Sequence, residues 1–301
     1  MNSNHTAPRH IDTDPALKAE VLKAAAALGT LGGGGQGAPR ILALLCDPAA
    51  GAPEIAAMID REPGMSARVL RVANSAFYGK ARNVGTVERA LVLLGLDAVR
   101  GIAAAACLDR SVRRSGEAPP VDMDQLVRHS LATGTAAEAL AKLRHAPIAP
   151  EAFIAGLLHN LGVAVQLRVD PAGMQRLVET LAARPDADLR AAEAACVRVG
   201  HEDCAATMFE AWQLPATLVQ AAQHHHAPLA APESCRELAG LVHLGIHVAL
   251  AAGHTYALER APPPRDVAVM ALLGVTDAEL DTVTEGLSER LSLLQQALQA
   301  A

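Results

Sequence analysis

Residues 150–167 read PEAFIAGLLHNLGVAVQL, and this stretch decides how the rest of the chain is interpreted. It opens with proline, which suits the first turn of a helix, and continues with mostly apolar residues. Near its C-terminal end the apolar run contains the pair His159-Asn160. The stretch therefore predicts one packed helix that carries two polar side chains into a core.

The composition extends this helical character to the whole chain. Of 301 residues, 51% are hydrophobic, 19% are charged and only 2% are aromatic, and about a fifth are alanine. Alanine is the best helix former, whereas strands favour aromatic and β-branched residues. No segment of convincing length alternates as a half-buried strand would. The predicted fold class is all-α, which disfavours a parallel-sheet enzyme.

Glycine and proline divide the helices into units. The run GGGGQG at 32–37 breaks any regular element and predicts a flexible joint. The charged, proline-containing stretch 110–120 predicts a surface loop between two helical sub-bundles. The predicted units are a flexible tail with a short helix and linker (1–38), a domain (39–255) made of two sub-bundles (39–109 and 122–255), and a C-terminal helical extension (256–301).

The last predicted helix, 277–301, is amphipathic. Leu280, Leu287 and Leu294 lie seven residues apart. Leu291 and Leu298 are also seven apart, each four residues after a leucine of the first set, as in a heptad repeat. One interpretation is a short heptad seam that joins two copies of the chain as a homodimer. The other is a helix packed on its own core.

Charge and cysteine content limit the compartment and the partners. The net charge is −6 and no predicted helix has a basic face, so DNA binding is not expected. Five scattered cysteines without a C-x-x-C pair indicate reduced thiols in the cytoplasm. The polar N-terminus lacks the pattern of a signal peptide. Residues 238–258 are long enough to span a bilayer, but their histidines and glycines favour a buried helix, so no membrane association is expected.

Several of the twelve histidines stand near the ends of predicted helices. Imidazole is a common metal ligand, and ligands from several helices of a bundle can meet in its core. The sequence leaves two interpretations open, a metal site and a set of packed, hydrogen-bonded histidines. The candidate residues are His129, His159, Asn160, His201, His224 and His225.

Linked motifs in the order of the chain resemble the HDOD domain (HD-related output domain) of bacterial signalling proteins. The resemblance covers about residues 39–255. In the first half it rests on IDREP at 59–63, RVLRVANSAFYG at 68–79, TVERA at 86–90 and LG at 94–95. In the second half it rests on AFIAGLLHNLG at 152–162, Glu193, Gly200-His201, WQLP at 212–215 and His224-His225.

The resemblance implies an HD-domain-like helical bundle with a regulatory role. HDOD domains look like relatives of HD phosphohydrolases whose metal chemistry has decayed. In the HD phosphohydrolases that this domain resembles, a working site consists of several histidines, a His-Asp pair and a final aspartate. In this chain Asn160 stands in place of the pair's aspartate, and residues 244–247 offer no final aspartate. A neutral amide brings no charge and cannot bridge two cations, so a site without carboxylates and without catalytic residues is expected.

The expected function is a non-catalytic signal-transduction module that binds a signalling protein or a nucleotide-type ligand. No cofactor is expected, although the histidines could hold zinc, iron or manganese in a structural or sensory role. The alternative is a metal-dependent phosphodiesterase that uses the same histidines. Asn74, Phe77 and Tyr78 are a candidate partner surface, and the other interpretation is that the two aromatic residues fill a gap between the sub-bundles.

Overall fold

The computed structural model describes residues 14–29, 38–47, 49–74, 84–112, 119–144, 146–184 and 186–299. All regular elements in these ranges are helices, which confirms the all-α prediction. The α-helices are α1 Pro15–Gly29, α2 Ala38–Cys46, α3 Ala52–Asp60, α4 Pro63–Ala73, α5 Val87–Leu94, α6 Leu96–Val112, α7 Met123–Leu143, α8 Ala149–Leu158, α9 Leu161–Val169, α10 Pro171–Ala183, α11 Leu189–Cys196, α12 His201–Ala211, α13 Ala216–His224, α14 Arg236–Ala251, α15 Val267–Leu273 and α16 Asp277–Gln299.

Helix α7 is the centre of the larger sub-bundle and packs on α8 and α14. Glycines allow close approach at these crossings: a Cβ on Gly156 of α8 would lie 2.7 Å from the Cα of Gly134 of α7. Gly245 of α14 meets the α7 backbone in the same way. At the neighbouring crossing of α9 and α12, a side chain on Gly162 would clash with the carbonyl oxygen of His201. These crossings bring the helix ends that carry the histidines close together.

The stretch predicted as one helix, 150–167, is two helices separated at His159-Asn160. The His159 Nδ1–H donates to the carbonyl oxygen of Gly156 at 2.6 Å, so the side chain competes for a backbone acceptor. Asn160 has φ −95° and ψ 10°, outside the ideal helical geometry. The break corrects the prediction and lies at the two polar side chains that the motif singles out.

The same region, Ala149–Val169, is apolar and long enough to cross a bilayer. Within its most apolar window, 89% of the residues are buried inside the protein. Val87–Leu94 and Leu96–Leu108 would qualify only as a pair, and they are bent by 120°. Residues 238–251 lie in α14, most of which is also buried. Such burial is typical of core helices.

Helix α1 packs on the main body of the protein. Leu17, Val21 and Leu28 are buried, and the helix contacts α9 and α12. Their spacing places them on one helical face, which explains why this face lies in the core. The glycine-rich joint at 32–37 lies outside the described residues. The N-terminal helix therefore completes the fold and does not stand apart from it, as the expected appendage would.

Helix α16 packs on α7, α4 and α14 of its own chain, and so joins the two sub-bundles. Leu280, Leu287 and Leu291 are at most 1% exposed. These three leucines are therefore core residues of this chain and not a seam between two chains. The side chains of Leu294 and Leu298 lie outside the described residues.

Candidate metal centre

Five histidine rings form one continuous cluster in the larger sub-bundle. The ring centroids are 5.5 Å apart for His129 and His159, 5.0 Å for His159 and His225, 5.1 Å for His201 and His225, and 4.2 Å for His225 and His226. Four of the five side chains are fully buried and His226 is partly exposed; the buried four are His129, His159, His201 and His225. Histidines distant in the sequence therefore meet at one place in the core.

The first group of potential metal ligands is His201, His225 and His226. The Nε2 atom of His201 lies 3.1 Å from Nε2 of His225 and 3.2 Å from Nε2 of His226. His225 donates its Nδ1–H to the carbonyl oxygen of Ala222 at 2.7 Å, so its Nε2 keeps a lone pair. Three ring nitrogens that face one another this closely can share a proton or a cation.

A buried carboxylate orients His201. The Nδ1 atom of His201 lies 2.9 Å from both carboxylate oxygens of Glu193, and Gln166 donates to the same carboxylate at 2.8 Å. Burial opposes protonation of His201, but the negative charge and hydrogen bond of Glu193 outweigh it and raise the pKa to about 9. A carboxylate behind an imidazole fixes the ring and increases its basicity, an arrangement common behind metal-bound histidines.

The second group is His129, His159 and Glu259. His129 donates its Nδ1–H to the carbonyl oxygen of His254 at 2.8 Å, and its Nε2 lies 3.2 Å from Oε2 of Glu259. Because His159 Nδ1 is engaged with Gly156, its Nε2 keeps a lone pair, and this buried atom has no hydrogen-bond partner. A bound cation would satisfy such an atom, so the donor set fits a metal.

Burial controls the charge of this cluster. It lowers the pKa of His159 and His226 to about 3 and holds that of His225 well below its usual value. These rings are therefore neutral near pH 7, the form that binds metals. Burial opposes ionisation of Glu259, but its hydrogen bond to His129 and its charge interactions with the surrounding histidines together outweigh burial and keep its pKa below the usual range. Near pH 7 the site thus combines three neutral imidazoles with a protonated His201 held by Glu193, so a cation bound at Nε2 of His201 would have to displace a proton.

Asn160 lies next to the second group. Its Nδ2 donates to Oε2 of Glu259 at 3.2 Å, and its Oδ1 is buried without a hydrogen-bond partner. The amide therefore positions the carboxylate and leaves one oxygen lone pair in the core.

Glu259 corrects the expectation of a site without carboxylates. It lies beyond residues 244–247, and also beyond the predicted domain boundary at 255. A turn holds it in place, in which the backbone N–H of Tyr256 donates to the carbonyl oxygen of Glu259 at 3.1 Å. The Tyr256 ring stacks 5.0 Å from the ring of His129. The sequence offers little indication that Glu259 belongs to the site, because it is a single glutamate before a proline-rich stretch.

His226 replaces His224 in the predicted set. α13 ends at His224, which is half-buried and belongs to neither group of potential ligands. The chain leaves the helix at this point, so helical spacing does not determine which of the three consecutive histidines faces the core. The structure therefore places His224 outside both groups, and a role for it in the site stays a prediction.

Asn74 ends α4 and ties the two ends of the segment 75–83 together. Its Nδ2 donates to the carbonyl oxygens of Leu70 and Val84, and its Oδ1 accepts from the N–H of Val84 at 2.7 Å. Phe77 and Tyr78 lie outside the described residues, so the partner surface stays a prediction.

A cavity of about 550 Å³ reaches both ligand groups from one side. His226 of the first group and Glu259 of the second line it, together with Arg190, His243 and Arg260. Arg190 is paired with Glu202 at 2.9 Å. A small solute can therefore approach the otherwise enclosed histidines through this cavity.

Comparison with known proteins agrees with this fold. The family model of the HDOD domain matches residues 36–228, more than half of the chain. A Treponema pallidum (strain Nichols) protein is 25% identical over 190 residues, which are 63% of this chain and 36% of that protein.

Solved structures share the fold. A Marinobacter aquaeolei VT8 protein named "Putative signal transduction protein" is 24% identical, with a TM-score of 0.74, covering 94% of this chain and 66% of the other. A Shewanella amazonensis SB2B protein named "Putative phosphohydrolase" is 23% identical, with a TM-score of 0.69, covering 94% and 98%. At these identities the likeness demonstrates a common fold.

Proposed function

The chain belongs to the HDOD domain family, and from this premise we propose that it is a signalling module whose buried histidine centre holds a divalent transition metal in a non-catalytic role. The histidine centre comprises His129, His159, His201, His225 and His226 with Glu259.

One observation in particular supports a bound metal, namely the orientation of the histidine rings. In four of the five rings, Nδ1 is bound to a backbone carbonyl or to a carboxylate, which leaves Nε2 facing the other members of the centre. This arrangement selects the tautomer and the ring orientation that a metal ligand requires. Packed histidines without a metal would have no common reason to present the same nitrogen inwards.

The donor set limits which metal fits. Imidazole nitrogens with one carboxylate suit zinc, iron or manganese, and affinity within this series increases from manganese through iron to zinc. A bound metal would be held by the imidazole nitrogens of one ligand group, and it would supply a positive charge there.

Two features support a regulatory over a hydrolytic role. The resemblance to HD phosphohydrolases places an aspartate at position 160, where this chain has the neutral amide of Asn160. An amide does not bridge two cations as a carboxylate does. Four of the five histidines are fully buried. A small nucleotide-type ligand or a partner protein would act on this site through the cavity lined by His226 and Glu259.

A metal-dependent phosphohydrolase is the second candidate, favoured by Glu259. This carboxylate restores part of the negative charge that the Asn160 amide removes, and it lines a cavity that solutes can enter. A cation held there would make a bound water more acidic and polarise a phosphoryl oxygen.

Elemental analysis of untagged protein, purified without added metal, tests the proposal. We expect about one equivalent of zinc, iron or manganese per chain. His201→Ala should lose it, because this ring joins the first ligand group to Glu193. His224→Ala is the matched control, since it removes a neighbouring imidazole that is not in the centre. Folded wild-type protein that contains no metal and takes up none would contradict the proposal.

A phosphodiesterase assay separates the two candidates. We expect no hydrolysis of bis(4-nitrophenyl) phosphate by protein loaded with manganese, iron or nickel. Metal-dependent turnover that disappears in Glu259→Gln would overturn the non-catalytic role and establish the hydrolase.

A further inference from the structure

A second cavity, of about 480 Å³, lies between the two sub-bundles and shares no lining residue with the cavity at the histidine centre. Its walls come from α2, α6, α8 and the first turn of α13. The lining residues are Leu45, Cys46, Arg100, Pro147, Pro150, Glu151, Ile154, Pro215 and Thr217.

Arg100 contributes a buried positive charge to this cavity. Its side chain is 9% exposed, and one amino group donates to the carbonyl oxygens of Asp47 and Ala50. Its Nε is buried and has no hydrogen-bond partner. In the described ranges no carboxylate forms an ion pair with this guanidinium, and a buried charge without a direct counter-ion is unfavourable unless a ligand supplies one.

Glu151 contributes the opposite charge. Its carboxylate accepts a hydrogen bond from the hydroxyl of Thr217, which joins α8 to α13. No ion pair joins Glu151 to Arg100 or to any other residue in the described ranges. Burial and Glu151 raise the pKa of the Cys46 thiol to about 12, so this third polar group is neutral. The cavity therefore presents one positive and one negative group that do not neutralise each other directly.

We propose that this cavity binds a small zwitterion, an α-amino acid with an apolar side chain. Its carboxylate would pair with Arg100 and its ammonium group with Glu151. The side chain would pack against Leu45, Ile154 and the prolines. A simple anion would be repelled by Glu151 and a simple cation by Arg100, whereas a zwitterion satisfies both.

The two helices that line this cavity also lead to the histidine centre. α8 begins beside the cavity at Pro150 and is followed by His159, and α13 begins beside it at Pro215 and is followed by His225. A ligand here would contact two helices that carry ligands of the centre. Binding itself does not depend on the metal, so each proposal can fail alone.

Calorimetric titration and thermal melting of the full chain with the protein L-amino acids test the proposal. We expect an apolar member such as leucine to bind and to raise the melting temperature. 4-Methylpentanoate lacks the ammonium group of leucine and 3-methylbutylamine lacks its carboxylate. Each should bind about tenfold or more weakly, because each leaves one charge of the cavity unpaired.

Two variants locate the site. Glu151→Gln removes the charge, keeps an acceptor for Thr217, and should weaken leucine binding by about tenfold or more. Glu88→Gln, at an exposed position outside the cavity, is the matched control and should bind as the wild type does. Cys46→Phe should block the cavity. Absence of binding by every amino acid, equal binding of 4-methylpentanoate, or unchanged binding by Glu151→Gln would overturn the proposal.

Discussion

At the scale of single residues, Glu193 decides how His201 can act. It lies on α11, is 3% exposed, and holds Nδ1 of His201 with both oxygens. The backbone N–H of His201 also donates to Glu193 at 3.3 Å. One carboxylate therefore fixes both the start of α12 and the orientation of the ring.

Glu193→Gln is expected to lower metal affinity by about 10- to 100-fold, as loss of a carboxylate behind a metal-bound imidazole typically does. The amide presents one donor and one acceptor to Nδ1 and no longer increases the basicity of Nε2. Competition with a chromophoric chelator measures the change. Glu210→Gln, at an exposed position on α12, should leave the affinity unchanged, and equal affinities of both variants would show that Glu193 has no such role.

At the scale of the elements, close helix crossings place the ligands. The α9–α12 crossing depends on Gly162, which faces the carbonyl oxygen of His201. This contact sets where α12 begins, and hence where the first ligand group lies. The break between α8 and α9 similarly turns His159 and Asn160 into the core.

Gly162→Ala is expected to destabilise the fold by about 2 kcal/mol or more, because the added methyl group would force α9 and α12 apart. Urea unfolding measures the loss, and metal content should fall with it. Gly64→Ala is the control: no atom lies within 4 Å of the added group, and alanine in a helix should gain up to about 1 kcal/mol. Two variants of equal stability would mean that the crossing tolerates a side chain.

At the scale of the whole molecule, the C-terminal segment completes both the core and the site. The turn at Tyr256 carries Glu259 to the histidines, and α16 covers α4 and α7 across the two sub-bundles. The predicted boundary at 255 therefore separates Glu259 from the histidines that it contacts. The family match ends at 228, and Glu259 of the candidate site lies beyond it.

Leu287→Ala is expected to lower the free energy of unfolding by about 2–5 kcal/mol, the usual effect of emptying a buried leucine site. Leu272→Ala is the matched change at a leucine of α15 that is 46% exposed, and it should have a small effect. Thermal unfolding followed by circular dichroism compares the two. Similar losses would contradict the role of α16 as a core helix.

The sequence by itself determined the helical class and the family, and it supplied candidate residues for the histidine centre. Alanine content, helix-breaking residues and the linked motifs are local properties, readable without coordinates. The same motifs contain His159, Asn160, His201 and His225, and the fold brings these four together with His129. Helical periodicity also indicated that Leu280 and Leu287 share one face, although it left open what covers that face.

Only the tertiary structure decided which groups complete the site. Asn160 and Glu259 meet across 99 residues of sequence, and His129 and His254 across 125. Contacts between residues so far apart in the sequence depend on how distant helices and loops pack together, and no local sequence pattern specifies that packing. His226 belongs to the first group of potential ligands and His224 does not, and the sequence does not show this because α13 ends at His224 and a turn follows. Packing of distant segments therefore added the carboxylate of Glu259 to a site whose motifs contain only that of Glu193.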